Sequence, residues 1–361
     1  MRVVVTGADG FLGWHLRARL RALTNHEVVP VGRGLWNDLP ALVRDADAVI
    51  HLAGVNRGEP YAVEHGNARL ALDLSNALRL SARPTQVVYA NSIQSGMDSP
   101  YGRGKQEAGR VLADIARERN ASFVDVLLPN IFGEGAKPNY NTFVATFVER
   151  IVQGQAVSVD DRELQLLHVQ DAARVLIEAL TTPGGEQRPA GTPTSVASVL
   201  QTLETLHAAY RLGEIPPLSS ELEVNLLNTL RARMFAERPT IPLVRRADER
   251  GALTEAVRAR GSEGQTFVST TKPGITRGQH FHLRKLERFA VVDGEAEIAM
   301  RRLFDDPVQV FRVNGDEPVA IDMPTGWPHK ITNVGSGTLT TVFWTNELFT
   351  PEDTDTYAEE V

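Results

Sequence analysis

Arg2-Val-Val-Val-Thr-Gly-Ala-Asp-Gly-Phe-Leu-Gly13 decides the fold. Residues 2–6 form a β-branched run that reads as a buried strand, and the next residues carry the chain into a helix reaching about Leu23. Gly7 and Gly10 allow a tight turn and a close backbone approach to a pyrophosphate. Gly13 allows the helix to pack close to the strand, with Phe11 and Leu12 in its first turn. The amino end of such a helix attracts phosphates. Strand, spaced glycines and helix predict a dinucleotide-binding turn that opens a doubly wound parallel α/β sheet.

Further strands are expected at 27–31, 46–50, 85–90 and 123–128, with helices between them. The second strand ends in Gly32-Arg33, where an acidic residue would serve the ribose hydroxyls of NAD. A guanidinium there suits a ribose phosphate, so NADPH is favoured over NADH, a solvated surface arginine being the alternative. His51-Leu-Ala-Gly-Val-Asn-Arg57 follows the third strand. Ala53 and Gly54 leave room for a cofactor, Asn67 on a helix over 64–80 is expected to face it, and His51 lies beside it in a packing role.

Ser92 stands just past the fourth strand, and Tyr101 and Lys105 open a helix running to about Glu118. A spacing of four puts Tyr101 and Lys105 on one helix face. An ammonium beside a phenol favours the phenolate, so Tyr101 can exchange a proton with a carbonyl or alcohol oxygen that Ser92 holds. Asn130 follows the fifth strand, where substrate loops lie. Lys137, Asn139 and Asn141 add polar groups suited to a diphosphate or a sugar.

Residues 1 to about 180 resemble the extended short-chain dehydrogenase/reductases. His51–Arg57, Ser92-Ile-Gln94, Pro100-Tyr-Gly102 and Pro138-Asn-Tyr-Asn141 resemble the CapF, WbjC and FnlB group of capsular-polysaccharide enzymes in particular. The resemblance implies Tyr101 as proton donor, Lys105 on the nicotinamide ribose and Ser92 on the substrate oxygen. Gly104 departs from the family, where serine is common.

After Pro239 the composition changes to short strands punctuated by Gly and Pro, running to about Trp344, which predicts an antiparallel barrel or jelly roll. His280 and His282, one residue apart on a strand, share a face, and Glu287 and His329 can join them from neighbouring strands. Three imidazoles and a carboxylate suit a divalent transition metal, zinc ahead of nickel, iron or manganese. Both halves of this pattern match the cupin motifs, and a metal-free cupin is the alternative. Asp248-x-Arg-Gly251, Lys272–Gly278, Trp344-x-Asn346-Glu347 and Asp355-Thr-Tyr357 extend the CapF-type resemblance to the second domain. The expected domains are a reductase over 1–240 and a cupin over 241–361.

The 361 residues include no cysteine and carry a formal net charge of −7, which speaks against thiol chemistry and nonspecific nucleic-acid binding. No run is apolar enough to span a membrane, and a cytoplasmic protein is expected. Apolar Phe267, Val291 and Phe343 suggest a homodimer through the cupin. The resemblance implies a UDP-linked 4-keto-6-deoxy amino sugar as substrate. It would be epimerised at the third carbon in the cupin and reduced with NADPH at the fourth to the L-talose derivative, on the UDP-N-acetyl-L-fucosamine route. Lys285 could reach the cupin site; the epimerisation base is open. Two other readings stand beside this one: a reductase with a structural or regulatory cupin, and a non-catalytic nucleotide-sugar sensor, against which the intact Ser92, Tyr101 and Lys105 speak.

Overall fold

A computed structural model describes every residue except Asn141 and Ser262, so the polar group expected at Asn141 lies outside the described residues. The three valines of β1 (Arg2–Thr6) are all fully buried and alternate between two apolar layers. Val3 and Val5 pack with Leu16 and Leu20 of α1 (Phe11–Leu23). After β2 (Glu27–Val31), α2 (Leu39–Val43) and β3 (Ala48–His51) come α3 (Pro60–Arg79), β4 (Gln86–Ser92) and α4 (Pro100–Glu118). Val4 packs on the opposite layer, with Leu74 of α3 and Leu112 and Ile115 of α4. A strand covered on both faces must be apolar through its middle, and residues 3–5 meet that demand.

β5 (Phe123–Leu128) continues the sheet. β6 (Asn130–Phe132), α5 (Phe143–Val152), β7 (Glu163–His168), α6 (Val169–Glu178), β8 (Gly185–Gln187) and β9 (Thr192–Ser195) follow it. The main sheet is six-stranded and parallel, in the order β2-β1-β3-β4-β5-β8. The chain reverses direction across the sheet between β1 and β3, and ligands bind at the carboxyl edge of such a reversal. A smaller sheet joins β6, β7 and β9.

Helices α3 and α4 meet closely. A Cβ at Gly104 would lie 2.6 Å from the carbonyl oxygen and 3.0 Å from the Cα of Glu64. The departure from serine at this position therefore has a packing cause: no side chain fits between the two backbones.

By compactness the chain forms two units, residues 1–146 with 161–196 and residues 147–160 with 197–361. The helices α7 (Val196–Tyr210, all but its first residue) and α8 (Glu221–Glu237) thus group with the later strands, whereas the sequence reading assigned them to a domain ending at 240. In the second unit, strands 240–242, 319–323, 287–293, 339–345 and 265–271 form one antiparallel sheet. Strands 308–314, 295–301, 329–333, 276–281 and 357–358 form another. Phe289, Val291, Ile298, Met300, Ile321 and Ile331 fill the core with Phe235 of α8. Val291 is buried in this core and Phe343 packs against it, so of the three apolar residues read as dimer-facing only Phe267 is exposed. Strand alternation sends Val291 inward, which the composition alone did not reveal.

Placing a methyl at Gly104 should cost about 1–3 kcal/mol through backbone overpacking. Urea unfolding of Gly104→Ala checks this, with Gly34→Ala, which meets nothing within 4 Å, as the neutral control.

Candidate active site and candidate metal centre

Gly7 has φ +67°, and a Cβ there would lie 2.8 Å from the backbone nitrogen of Ala53. Gly13 has no room either, since a Cβ would meet the Gly7 carbonyl oxygen at 2.3 Å. The ends of β1 and β3 and the start of α1 are locked together in this way. Gly10 caps α1 without any side-chain acceptor, and no acidic residue lies in the first turn, so the helix amino end is suited to an anion. Phe11 is half-buried against His15, and Leu12 packs on the core.

Thr6 organises the neighbouring loop. Its hydroxyl oxygen lies 2.8 Å from His51 Nδ1 and accepts from the Leu52 and Ala53 amides at 3.2 and 3.3 Å. His51 is buried, and burial with the nearby Lys105 charge lowers its pKa to about 3. It is a neutral packing residue behind the loop. Asn67 is buried too. It donates to the Val55 and Val63 carbonyls, each at 2.8 Å, and accepts from the Val55 amide at 3.2 Å. Its amide clamps the Gly54–Val55 turn to α3 instead of turning its donors to the open edge. Arg33 is exposed at the start of a 3₁₀ turn (Arg33–Asp38) at the end of β2.

Ser92 is the last residue of β4, which extends past the expected end at Ala90 to take it in. Ser99 caps α4 by accepting from the Gly102 amide at 3.0 Å, and Pro100 holds the first helical position. The half-buried Tyr101 phenol lies beside Ser92. Burial raises the Tyr101 pKa, and the Ser92 hydroxyl offsets that only in part. The expected lowering by Lys105 does not operate here, because the ammonium is engaged elsewhere. Lys105 Nζ donates to the Ala90 carbonyl at 2.7 Å and lies 4.3 Å from the Tyr89 ring centroid. Burial brings its pKa down to about 7 against an upward pull from Asp125. Asp125 is itself held by Asn91 Nδ2 at 3.1 Å. These supporting groups, Ala90, Tyr89, Asn91 and Asp125, were missed by the sequence reading; they sit on β4 and β5 and carry no spacing of their own.

Asn130 is exposed at the start of β6, and Lys137 and Asn139 are exposed on the loop beyond. The root of that loop is anchored by a buried group the sequence did not reveal. Glu134 accepts from His15 Nε2 at its backbone oxygen (2.8 Å), and its carboxylate lies 3.1 Å from His168 Nε2. Burial pushes the Glu134 carboxyl up, but His168 and His15 outweigh it and hold it at about 2.

In the second unit the ligand atoms of His280, His282, Glu287 and His329 lie within 4.8 Å of one another. A bulge between Gly278 and His280 shifts the register so that His280 pairs with His329. His282 Nδ1 donates to the Asp355 carbonyl at 2.6 Å, and His329 Nδ1 to the Trp327 carbonyl at 3.0 Å. A carbonyl only accepts, so both Nδ1 atoms carry protons and both Nε2 atoms face inward. They lie 2.9 and 3.3 Å from Glu287 Oε2. Two neutral imidazole lone pairs around one carboxylate oxygen repel unless positive charge intervenes, from protonated rings or a shared cation. The fixed Nδ1 partners, the buried Nε2 of His329 without a hydrogen bond and the three-nitrogen, one-oxygen donor set all fit a divalent metal. Burial pushes Glu287 up, but His282 and His329 hold its carboxyl well below the usual range. Lys285 Nζ is engaged by the Thr354 carbonyl and the Thr356 hydroxyl, not by the cluster.

With this geometry, residues 3–190 match the NAD dependent epimerase/dehydratase family and residues 246–357 the polysaccharide biosynthesis C-terminal domain. The chain belongs to the NAD dependent epimerase/dehydratase family. It is a nicotinamide-dependent enzyme of the reductase and epimerase type, with the CapF domain order. A Pseudomonas aeruginosa protein named UDP-2-acetamido-2,6-beta-L-arabino-hexul-4-ose reductase is 32% identical over 366 residues, covering 99% of this chain and 98% of that one. The crystal structure of the capsular polysaccharide assembling protein CapF from Staphylococcus aureus aligns over 100% of both chains at 30% identity, with a TM-score of 0.60. The Bacillus subtilis spore coat polysaccharide biosynthesis protein SpsL is 25% identical over 122 residues, which is 31% of this chain and 81% of that one. No helix among the described residues is long and apolar enough to cross a membrane.

Lys105 makes stability depend on pH. Below about pH 7 both folded and unfolded chains hold its proton, and the full cost of burying the ammonium applies. Between about 7 and the unfolded value of about 10.4 only the unfolded chain holds it. The cofactor-free protein should therefore gain stability relative to Lys105→Met as pH rises from 7 to 9.5, by up to about 1.4 kcal/mol per pH unit. Urea unfolding of both proteins across that range checks it; a flat difference would give Lys105 an ordinary pKa.

Proposed function

We propose that the chain converts a UDP-linked 4-keto-6-deoxy amino sugar in two steps: epimerisation at the third carbon by a cupin domain over 241–361, then NADPH-dependent reduction at the fourth carbon by the domain over 1–240. The product is the L-talose derivative on the route to UDP-N-acetyl-L-fucosamine. The observation that carries this reading is the meeting of Ser92 and Tyr101 at the carboxyl edge of β4, where the serine hydroxyl draws the phenol pKa down against burial and an oxygen holder stands beside a proton donor. The name of the Pseudomonas aeruginosa relative, matched along nearly its whole length, supports the sugar class.

Ser92 holds the ketone oxygen and Tyr101 gives it a proton. Lys105 turns from the Ala90 carbonyl to the nicotinamide ribose and draws the phenol pKa down. The bound nicotinamide supplies the hydride. Gly7, Gly10 and Gly13 with the first turn of α1 take the pyrophosphate, and Arg33 takes the ribose phosphate. Asn130, Lys137 and Asn139 bind the sugar diphosphate. In the second unit His280, His282, Glu287 and His329 would hold a divalent ion, zinc first, and its charge would supply stabilisation for a developing negative charge on a substrate oxygen. Glu287 is committed to two histidines and is a poor base. That commitment also favours a second reading, in which the cluster is structural and the chain is a reductase only.

Tyr101→Phe should lose NADPH oxidation with the keto sugar by at least 100-fold and keep cofactor affinity, since only the transferable proton is removed. The same variant should still exchange solvent deuterium into the third carbon, while His282→Ala with His329→Ala should not. Mass spectrometry of the sugar separates the two readings: no exchange in the unmodified chain leaves a reductase only, and exchange that persists in the ligand variant takes epimerisation away from the cluster. Light scattering on these preparations reads the homodimer proposed through 241–361.

Arg33→Ala should weaken NADPH at least tenfold more than NADH, since a charge-assisted bond to phosphate is worth about 1.5–3 kcal/mol. Fluorescence titration with each cofactor checks it; equal losses would take Arg33 off the phosphate.

A further inference from the structure

Asp355 lies 73 positions beyond His282 in the chain and is 2% exposed. Its carboxylate accepts from three consecutive amides: Leu283 at 3.1 Å, Arg284 at 3.0 Å and Lys285 at 2.8 Å. Successive amides aimed at one anion form a concave nest, and bonds to an ionised acceptor are the stronger kind. The backbone of the same residue accepts from His282 Nδ1 at 2.6 Å. Its φ of +43° is left-handed, a conformation a non-glycine residue keeps only when its surroundings hold it there. Those surroundings are explicit. Lys285 Nζ grips Thr354 and Thr356, Arg284 pairs with Asp353 and Glu347, and strand 357–358 pairs with 280–281.

The turn held by this carboxylate, 283–286, runs directly between His282 and Glu287. One buried residue therefore sets both the path between two cluster members and the ring orientation of one of them. We propose that Asp355 is the positioning residue of the cluster, holding the 283–285 turn and fixing His282 so that its Nε2 faces the other three ligand atoms. Side chains that orient ligands in this way commonly matter 10- to 100-fold in metal affinity. This inference rests on the metal reading proposed above.

The test uses the full chain, stripped of metal and titrated with Co²⁺ by visible absorption against a competing chelator. Asp355→Ala should bind Co²⁺ about 10–100-fold more weakly, with an altered spectrum, and Asp355→Asn should fall between it and the unmodified chain. Lys285→Met loses the grip on 354 and 356 but no bond to Asp355, and should stay within about threefold. If Asp355→Ala does not fold, Asp355→Asn decides, because its amide oxygen still accepts but carries no charge. Unchanged affinity and spectrum in the folded Asp355 variants would overturn the proposal. If the unmodified chain takes up no Co²⁺, the metal reading falls, and long-range ¹H–¹⁵N spectra at pH 8.5 decide the positioning role alone. The Nδ1–H form of His282 should then be lost in the Asp355 variant while that of His329 stays; its retention at His282 would sink the proposal.

Discussion

A polar group taken out of water must be met by another, and this constraint shapes both units of the chain. The parallel sheet buries apolar residues on both faces, which leaves polar chemistry only the strand ends. There Thr6, Asn67 and the Ala90 carbonyl each meet a group that the cofactor edge requires to be buried. In the antiparallel unit, histidines enter the buried interior, and backbone carbonyls of Asp355 and Trp327 meet their outer nitrogens. The inner nitrogens are what remains, and their convergence is a product of that pairing.

The two sites have opposite electrostatic character. Lys105 is a cation with too little around it: one carbonyl, one ring face and a distant carboxylate leave its proton loosely held. Glu287 is an anion with too much around it, flanked by two histidines and held well below its ordinary range. The Lys105 proton is thus the more easily removed of the two charges, and the Glu287 carboxylate the harder to neutralise.

The sequence was most legible where a single local rule decides position. Glycine spacing placed the turn at 7–13, helical spacing placed Tyr101 one turn from Lys105, and the strand period brought His280 and His282 to the same neighbourhood. Gly104 stood out as a departure, but its cause, the Glu64 backbone on another helix, could not be read locally. The same limit hid the Ala90 partner of Lys105, the inward turn of Val291 and the Glu134 group. Each depends on which element packs beside which, and burial then chooses among orientations that the local pattern permits equally. Helices α7 and α8 have weak apolar stripes, so their grouping with the later strands was equally unreadable.

The hydrogen bond from His282 to Asp355 spans 73 residues, and it fixes an order of events during synthesis. A ribosome adds His280, His282, Glu287 and His329 to the chain before residue 355. All four side chains are then present, but the ring of His282 has no carbonyl to hold it and the turn at 283–285 has no anion to wind around. The cluster of the second unit is therefore finished late, after the glycine turn, the parallel sheet and both helices of the nucleotide edge have been made and can close. A nascent chain would carry the complete parallel sheet while the ring of His282 still lacked its partner.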